Sequence, residues 1–321
     1  MHSARWRGSA VAAKVFKLPT RPSDVSPLDS PLLGIAAAMD SYVRFQVKSD
    51  AHTLDDERTG AAYERELLVL QSLRHPNICT LYGVVVSPPM LVMELCAGGS
   101  LAALLRSSTL ASLPWTRRTE IAAGVACGVD FLHSQEPPVI HRDLKSLNVV
   151  LSSDGTAKLV DFGLGGFLPH VAGELASQDR GAKGTPAYMA PEVLLSIPGG
   201  TPQAIDIFGV GVVLHDLAHL GIFPSPPTTS SSSSAEPSAD TPLLSGNRDP
   251  GGRGIAAMLA RHNSGFAVHV APHCPKAFGE LMLHCMQREP AVRPAAGEVL
   301  QTLLQLSAAA ADAEQRGEAW A

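Results

Sequence analysis

Two short stretches carry most of the reactive side chains: His141–Arg142–Asp143–Leu144–Lys145–Ser146–Leu147–Asn148, and Asp161–Phe162–Gly163. They hold two carboxylates, a carboxamide and an ammonium. Carboxylate and carboxamide oxygens are hard donors, the kind a magnesium ion accepts while it keeps some of its own waters. Val149–Val150–Leu151 and Ala157–Lys158–Leu159–Val160 are apolar, β-branched runs that read as strands. Between them, Ser152–Ser153–Asp154–Gly155 has the residues of a tight reversal. A hairpin of this kind brings its ends together, and so sets Asn148 beside Asp161, as two ligands of one cation require.

In order and spacing, the two stretches resemble the catalytic loop and the metal-binding loop of the protein kinases. That resemblance implies phosphoryl transfer, a reaction in which the protein supplies positioning and charge neutralisation. Asp143 would accept the proton of the attacking hydroxyl, Lys145 would neutralise charge on the transferred group, and Asn148 and Asp161 would hold Mg2+. Val11–Ala12–Ala13–Lys14–Val15 resembles the family strand whose lysine binds the α/β-phosphates. Glu66 stands at the family distance before Leu73–Arg74–His75–Pro76–Asn77–Ile78, which makes Lys14–Glu66 the expected ion pair. Glu94–Leu95–Cys96–Ala97–Gly98–Gly99–Ser100–Leu101 resembles the hinge, where backbone groups of Glu94 and Cys96 would take the adenine of ATP. Met93 would guard the back of that pocket, and Ala12 and Val150 would complete it. Gly184–Thr185–Pro186–Ala187–Tyr188–Met189–Ala190–Pro191–Glu192 resembles the end of an activation segment, with Ser177 and Thr185 as its candidate phosphorylation sites. Arg142 implies a basic pocket for such a phosphate. The resemblance also pairs Glu192 with Arg293, and places Asp206 under the backbone amides of the catalytic loop.

The elements that must position these groups divide the chain into two lobes. The expected fold is α+β and bilobal, a protein-kinase-like arrangement. Residues 1–95 would form a small β-rich lobe and residues 96–306 a large helical one, with 307–321 as an alanine-rich tail that either extends the last helix or frays. Ala4–Trp6, Val11–Phe16, Leu81–Val86 and Met90–Met93 read as strands of the small lobe. Asp56–Leu73 reads as its helix, with Tyr63, Leu67, Leu70 and Leu73 on one face. Leu101–Arg106, Trp115–His133, Asp206–Leu214, Ile255–His262, Cys274–Met286 and Val299–Leu306 read as helices of the large lobe. Gly209 and Gly211 weaken the third of these by about 1 kcal/mol each, which burial should offset. Two insertions, about 19–55 and 223–254, are rich in Pro and Ser and are expected to be disordered, apart from a strand at Tyr42–Val47.

Composition narrows the partners. A net charge of −5 argues against nucleic acid or an anionic membrane surface, and no apolar run reaches spanning length. Five cysteines with no metal-type spacing fit reduced thiols in the cytoplasm, or in the nucleus. Lys145 and the Lys-Ser-x-Asn form of the loop resemble the tyrosine-kinase-like group of Ser/Thr kinases. The expected activity is therefore transfer of the γ-phosphoryl group of Mg-ATP to Ser or Thr of a protein substrate. The amino terminus departs from the family pattern. The Gly-rich loop G-x-G-x-x-G-x-V belongs before the lysine strand, and residues 1–10 do not contain it. Gly8 falls in the following turn. A small lobe truncated at its first strand implies weak Mg-ATP binding, and makes a pseudokinase acting as a binding module the alternative.

Overall fold

The computed structural model describes residues 2–6, 9–16, 56–85, 90–168, 171–172, 188–195, 200–221, 270–318 and 320. Both insertions, the strand at 42–47, the helix at 255–262, Ser177 and Thr185 lie outside these residues.

The amino-terminal part is rich in sheet. Strands β1 (His2–Trp6), β2 (Ser9–Val15), β3 (Leu81–Val85) and β4 (Met90–Glu94) form an antiparallel sheet in the order β1-β2-β4-β3. Alternation along β2 sends Ala12 and Lys14 to one face and Val11 to the other. The register pairs Ala12 with Met93 and Lys14 with Leu91. Helix α1 (Asp56–Leu70) packs Tyr63, Leu67 and Leu70 into the same core as Leu91 and Met93. The opposite face holds a separate small cluster of Val11, Val85, Met90 and Val92. Helix α1 stops three residues short of the expected end. Gln71 and Ser72 form a turn, closed by hydrogen bonds to the carbonyls of Leu67 and Val69.

The remainder is mostly helical. β5 (Gly99–Ser100) leads into α2 (Leu101–Ser107), whose cap is the Ser100 hydroxyl accepting from Ala103 N at 3.2 Å. Then come α3 (Trp115–His133), β6 (Val139–Ile140), a 3₁₀ turn at Ser146–Asn148, β7 (Val149–Leu151), β8 (Ala157–Leu159) and β9 (Gly166–Phe167). The last helices are α4 (Pro191–Leu194), α5 (Pro202–His219), α6 (Lys276–Cys285) and α7 (Ala296–Arg316). Strands β7 and β8 pair as the expected hairpin, turning at Gly155 with φ +85°, which favours glycine. Helix α5 is buried from Asp206 through Ala218 and is apolar there except at Asp206, His215 and Asp216. The alanine-rich segment 307–316 is helical, the first of the two readings of the tail. It prolongs α7, which packs along α3 and buries Ala310 and Ala313, small side chains that let the two helices approach. Trp320 then meets Trp115 edge-on at 6.0 Å. Among the described residues no helix is long and apolar enough to cross a membrane.

Candidate active site

The site lies between the sheet-rich and helical parts. β2 delivers Lys14 and α1 delivers Glu66, and their side chains meet. Lys14 Nζ donates to Glu66 Oε2 at 2.6 Å and Oε1 at 2.9 Å, and to Asp161 Oδ1 at 2.8 Å. Glu66 is wholly buried. Burial pushes its carboxyl up to about 7, against the attraction of Lys14. Burial alone would lower the Lys14 ammonium, but the charges of Glu66 and Asp161 outweigh it and hold it above its ordinary value. Burial likewise opposes ionisation of Asp161, yet Lys14 prevails and keeps it below the usual carboxylate range. One cation thus ties a strand, a helix and the segment that follows β8.

Asp143, Lys145 and Asn148 form a second knot. Asp143 Oδ2 accepts from Lys145 Nζ at 2.7 Å and from Asn148 Nδ2 at 2.9 Å. Asn148 Nδ2 also donates to the Asp143 carbonyl at 2.8 Å. The amide nitrogen of Asn148 is thereby committed inward, and its oxygen is the atom left to act as an outward acceptor. Val160 N donates to the Asn148 carbonyl at 3.0 Å, so the β7–β8 hairpin fixes Asn148 beside the Asp161 segment. Among the described residues no group of three or more His, Cys, Asp or Glu is placed to cage a metal. Asp161 and Asn148 are therefore a sparse pair of hard oxygen donors. Such a pair suits a magnesium ion that completes its shell with water and phosphate oxygens.

Beneath both knots lies a buried frame. His141 donates from Nε2 to the Val160 carbonyl at 3.1 Å and accepts at Nδ1 from Asp143 N at 3.4 Å. Asp206 accepts from His141 N at 2.8 Å, from Arg142 N at 2.7 Å and from His133 Nε2 at 3.0 Å. Arg142 and Asp161 both have positive φ, 67° and 70°, the left-handed region that non-glycine residues enter at a cost. The Asp206 bonds hold Arg142 there. The His133 contact and the bond from Ser146 Oγ to Asp216 Oδ2 have no motif to announce them in the sequence.

Of the residues expected to line an adenine pocket, Ala12 and Met93 are neighbours across the β2–β4 register and both are buried. Val150 is half-buried and packs on the main core. The Glu94 carboxylate turns to Lys158 Nζ at 3.1 Å, and Cys96 sits half-buried in the link after β4.

Residues 39–304 match the family profile of the protein kinase domain. The chain belongs to the protein kinase family. It is 34% identical over 223 residues to the serine/threonine-protein kinase CTR1 of Arabidopsis thaliana, covering 68% of this chain and 22% of that protein. It is 41% identical over 154 residues to the probable serine/threonine-protein kinase PBL8 of Arabidopsis thaliana, covering 47% of this chain and 37% of that protein. It is 27% identical over 316 residues to the probable serine/threonine-protein kinase pats1 of Dictyostelium discoideum, covering 96% of this chain and 8% of that protein. This kinase chain thus spans about a fifth or less of the length of CTR1 and pats1. The matched span begins after Lys14, which is joined to it by the β2–β4 pairing and by its contacts with Glu66 and Asp161.

Proposed function

We propose that the chain is a serine/threonine protein kinase domain that transfers the γ-phosphoryl group of Mg-ATP to a Ser or Thr hydroxyl of a protein. The observation that carries this reading is the adjacency of two sets of groups, Lys14–Glu66–Asp161 and Asp143–Lys145–Asn148. In it, Asp143 orients the incoming hydroxyl and takes its proton. Lys145, 2.7 Å from Asp143, is placed to offset negative charge at the same point. Lys14 reaches the α- and β-phosphates, and Glu66 keeps its ammonium in place. Asn148 and Asp161 hold Mg2+, which when bound neutralises phosphate charge. Ala12, Met93 and Val150 enclose the adenine, with backbone groups of Glu94 and Cys96 as its partners. Five free thiols suit a reducing compartment, and we place the protein in the cytoplasm, with the nucleus as the alternative.

The test separates binding from transfer. Asp143→Asn should abolish phosphate transfer to a protein substrate and leave Mg-dependent nucleotide affinity nearly intact. Asp161→Asn should weaken that affinity. Equal loss of nucleotide binding in both variants would contradict the assigned roles. A folded wild-type chain that binds Mg-ATP without transferring phosphate would instead indicate a binding module.

A further inference from the structure

Helix α5 touches the catalytic loop at three places. Asp206 accepts from the backbone amides of His141 and Arg142 at 2.8 and 2.7 Å. Leu144 Cβ packs so closely on Gly209 that a Cβ there would stand 2.7 Å away. Asp216 Oδ2 accepts from Ser146 Oγ, and both residues are wholly buried. At about 100° per residue, positions 206, 209 and 216 fall within an arc of about 80° on one face of the helix. Asp206 and Asp216 lie about 15 Å apart along its axis. The loop therefore runs along one rigid helix and is fastened to it near both ends. Asp143 and Lys145 lie between the two fastenings.

We propose that, on the kinase reading above, Ser146 and Asp216 are positioning residues for phosphoryl transfer, which hold Lys145 and Asn148 in register with Asp143 by anchoring the far end of the catalytic loop to α5. The bond reaches the reacting groups through the backbone. Lys145 is extended, with φ −164° and ψ 162°. In an extended chain successive side chains point to opposite sides. With Leu144 and Ser146 drawn towards α5, Lys145 is turned away from it, where its Nζ meets Asp143 Oδ2 at 2.7 Å. Ser146 also opens the 3₁₀ turn that carries Asn148, closed by Asn148 N donating to the Lys145 carbonyl at 2.8 Å. From that turn Asn148 Nδ2 reaches the same Asp143 oxygen at 2.9 Å.

The two carboxylates of α5 grip different things. Asp206 takes backbone amides, which almost any residue supplies at positions 141 and 142. Asp216 takes a side-chain hydroxyl, so this second anchor depends on the residue at position 146. A carboxylate sealed from water needs donors around it, and loss of one leaves it costly to keep. Alanine at 146 would therefore take a donor from a buried acid and release the turn at the same time. Neither Ser146 nor Asp216 is placed to touch nucleotide or acceptor. Their effect passes through Lys145 and Asn148.

The test uses the full chain and two measurements, steady-state phosphate transfer from Mg-ATP to dephosphorylated casein and amide hydrogen exchange resolved to single residues. Ser146→Ala should lower kcat by about ten- to a hundredfold, as a small misplacement at a reacting centre does. KM for Mg-ATP should change much less, because Lys14 and the residues expected to enclose adenine lie outside the turn. In the same variant the Asn148 amide should exchange faster, while the His141 and Arg142 amides, held by Asp206, keep their protection. Asp216→Asn keeps an acceptor for Ser146 without its charge, so its losses should be smaller. The double variant should be no worse than Ser146→Ala alone, as the loss of one shared bond requires. Exchange reads the anchor without activity, so a wild type that fails to phosphorylate casein would count against the kinase reading and leave Asn148 to decide the anchor. Should Ser146→Ala not fold, Asp216→Asn is read by the same measures, and no change in it would overturn the proposal. An unchanged kcat or an equally protected Asn148 amide in Ser146→Ala would overturn it. So would additive losses in the double variant, or faster exchange spread evenly over His141, Arg142 and Asn148.

Discussion

Glu66 and Lys14 show how a buried charge is maintained, and what it costs. A carboxylate removed from water loses hydration, and one ammonium restores part of it. The result is a carboxyl at about 7, against an ordinary 4.5. Between those values the folded chain binds a proton that the unfolded chain lacks. The stability contributed by this group is therefore full below pH 4.5 and lost as pH rises through about 7, a change on the order of 3 kcal/mol. A glutamine in place of the acid would keep the shape without titrating. The melting temperature of the wild type relative to Glu66→Gln should therefore fall between pH 5 and pH 8, and a gap that stays constant or widens would refute the assignment. At this scale the sequence was informative wherever a motif fixed the spacing, as for Lys14, Glu66, Asp143 and Asp161. It was silent on the His133–Asp206 and Ser146–Asp216 contacts, because they join elements far apart in the chain and no spacing rule encodes that.

At the scale of elements, α5 shows what residue counting misreads. Gly209 and Gly211 appear in the sequence as two weak points in a helix, and their helicity is indeed rescued by burial. Their purpose is visible only in the packing. A Cβ on Gly209 would stand 2.7 Å from Leu144 Cβ, and one on Gly211 2.5 Å from Met286 Cγ. Leu144 follows Asp143, so the absence of a side chain at position 209 is what lets α5 press against the catalytic loop while Asp206 holds its amides. Alanine at 209 would gain about 1 kcal/mol of helix propensity. It would also collide with a Cβ, which cannot rotate away, and overpacking of this kind costs about 1–3 kcal/mol. Gly209→Ala should therefore lower the melting temperature and depress phosphate transfer through displacement of Asp143. A more stable Gly209→Ala would mean that the loop yields freely and that the close approach has no positioning role.

For the molecule as a whole, the bilobal plan was legible because the motifs occur in family order, each marking an element end. The carboxy-terminal boundary was not, since an alanine-rich run reads alike as frayed tail or helix until α3 is present to cover it. The contact that best joins the distant parts of the helical lobe is Arg293 with Glu192. Arg293 Nη1 reaches Glu192 Oε1 at 2.7 Å and Nη2 reaches Oε2 at 2.8 Å, a two-bond fork with both side chains nearly sealed from water. The same guanidinium donates to the carbonyls of Ala204 and Gln287 at 2.8 Å each, and lies over the Phe208 ring at 5.1 Å. One side chain thus binds α4, α5 and the loop after α6. Removing it strands a buried carboxylate and two carbonyls, which costs about 3–5 kcal/mol. Arg293→Ala should lower the melting temperature by on the order of 10 °C. Arg293→Lys should recover only part of that loss, because an ammonium supplies the charge without the planar fork. If the fork is what matters, Glu192→Gln should destabilise the wild type strongly and the Arg293→Ala variant little. An unchanged melting temperature in Arg293→Ala would show that the lobe does not depend on this pair.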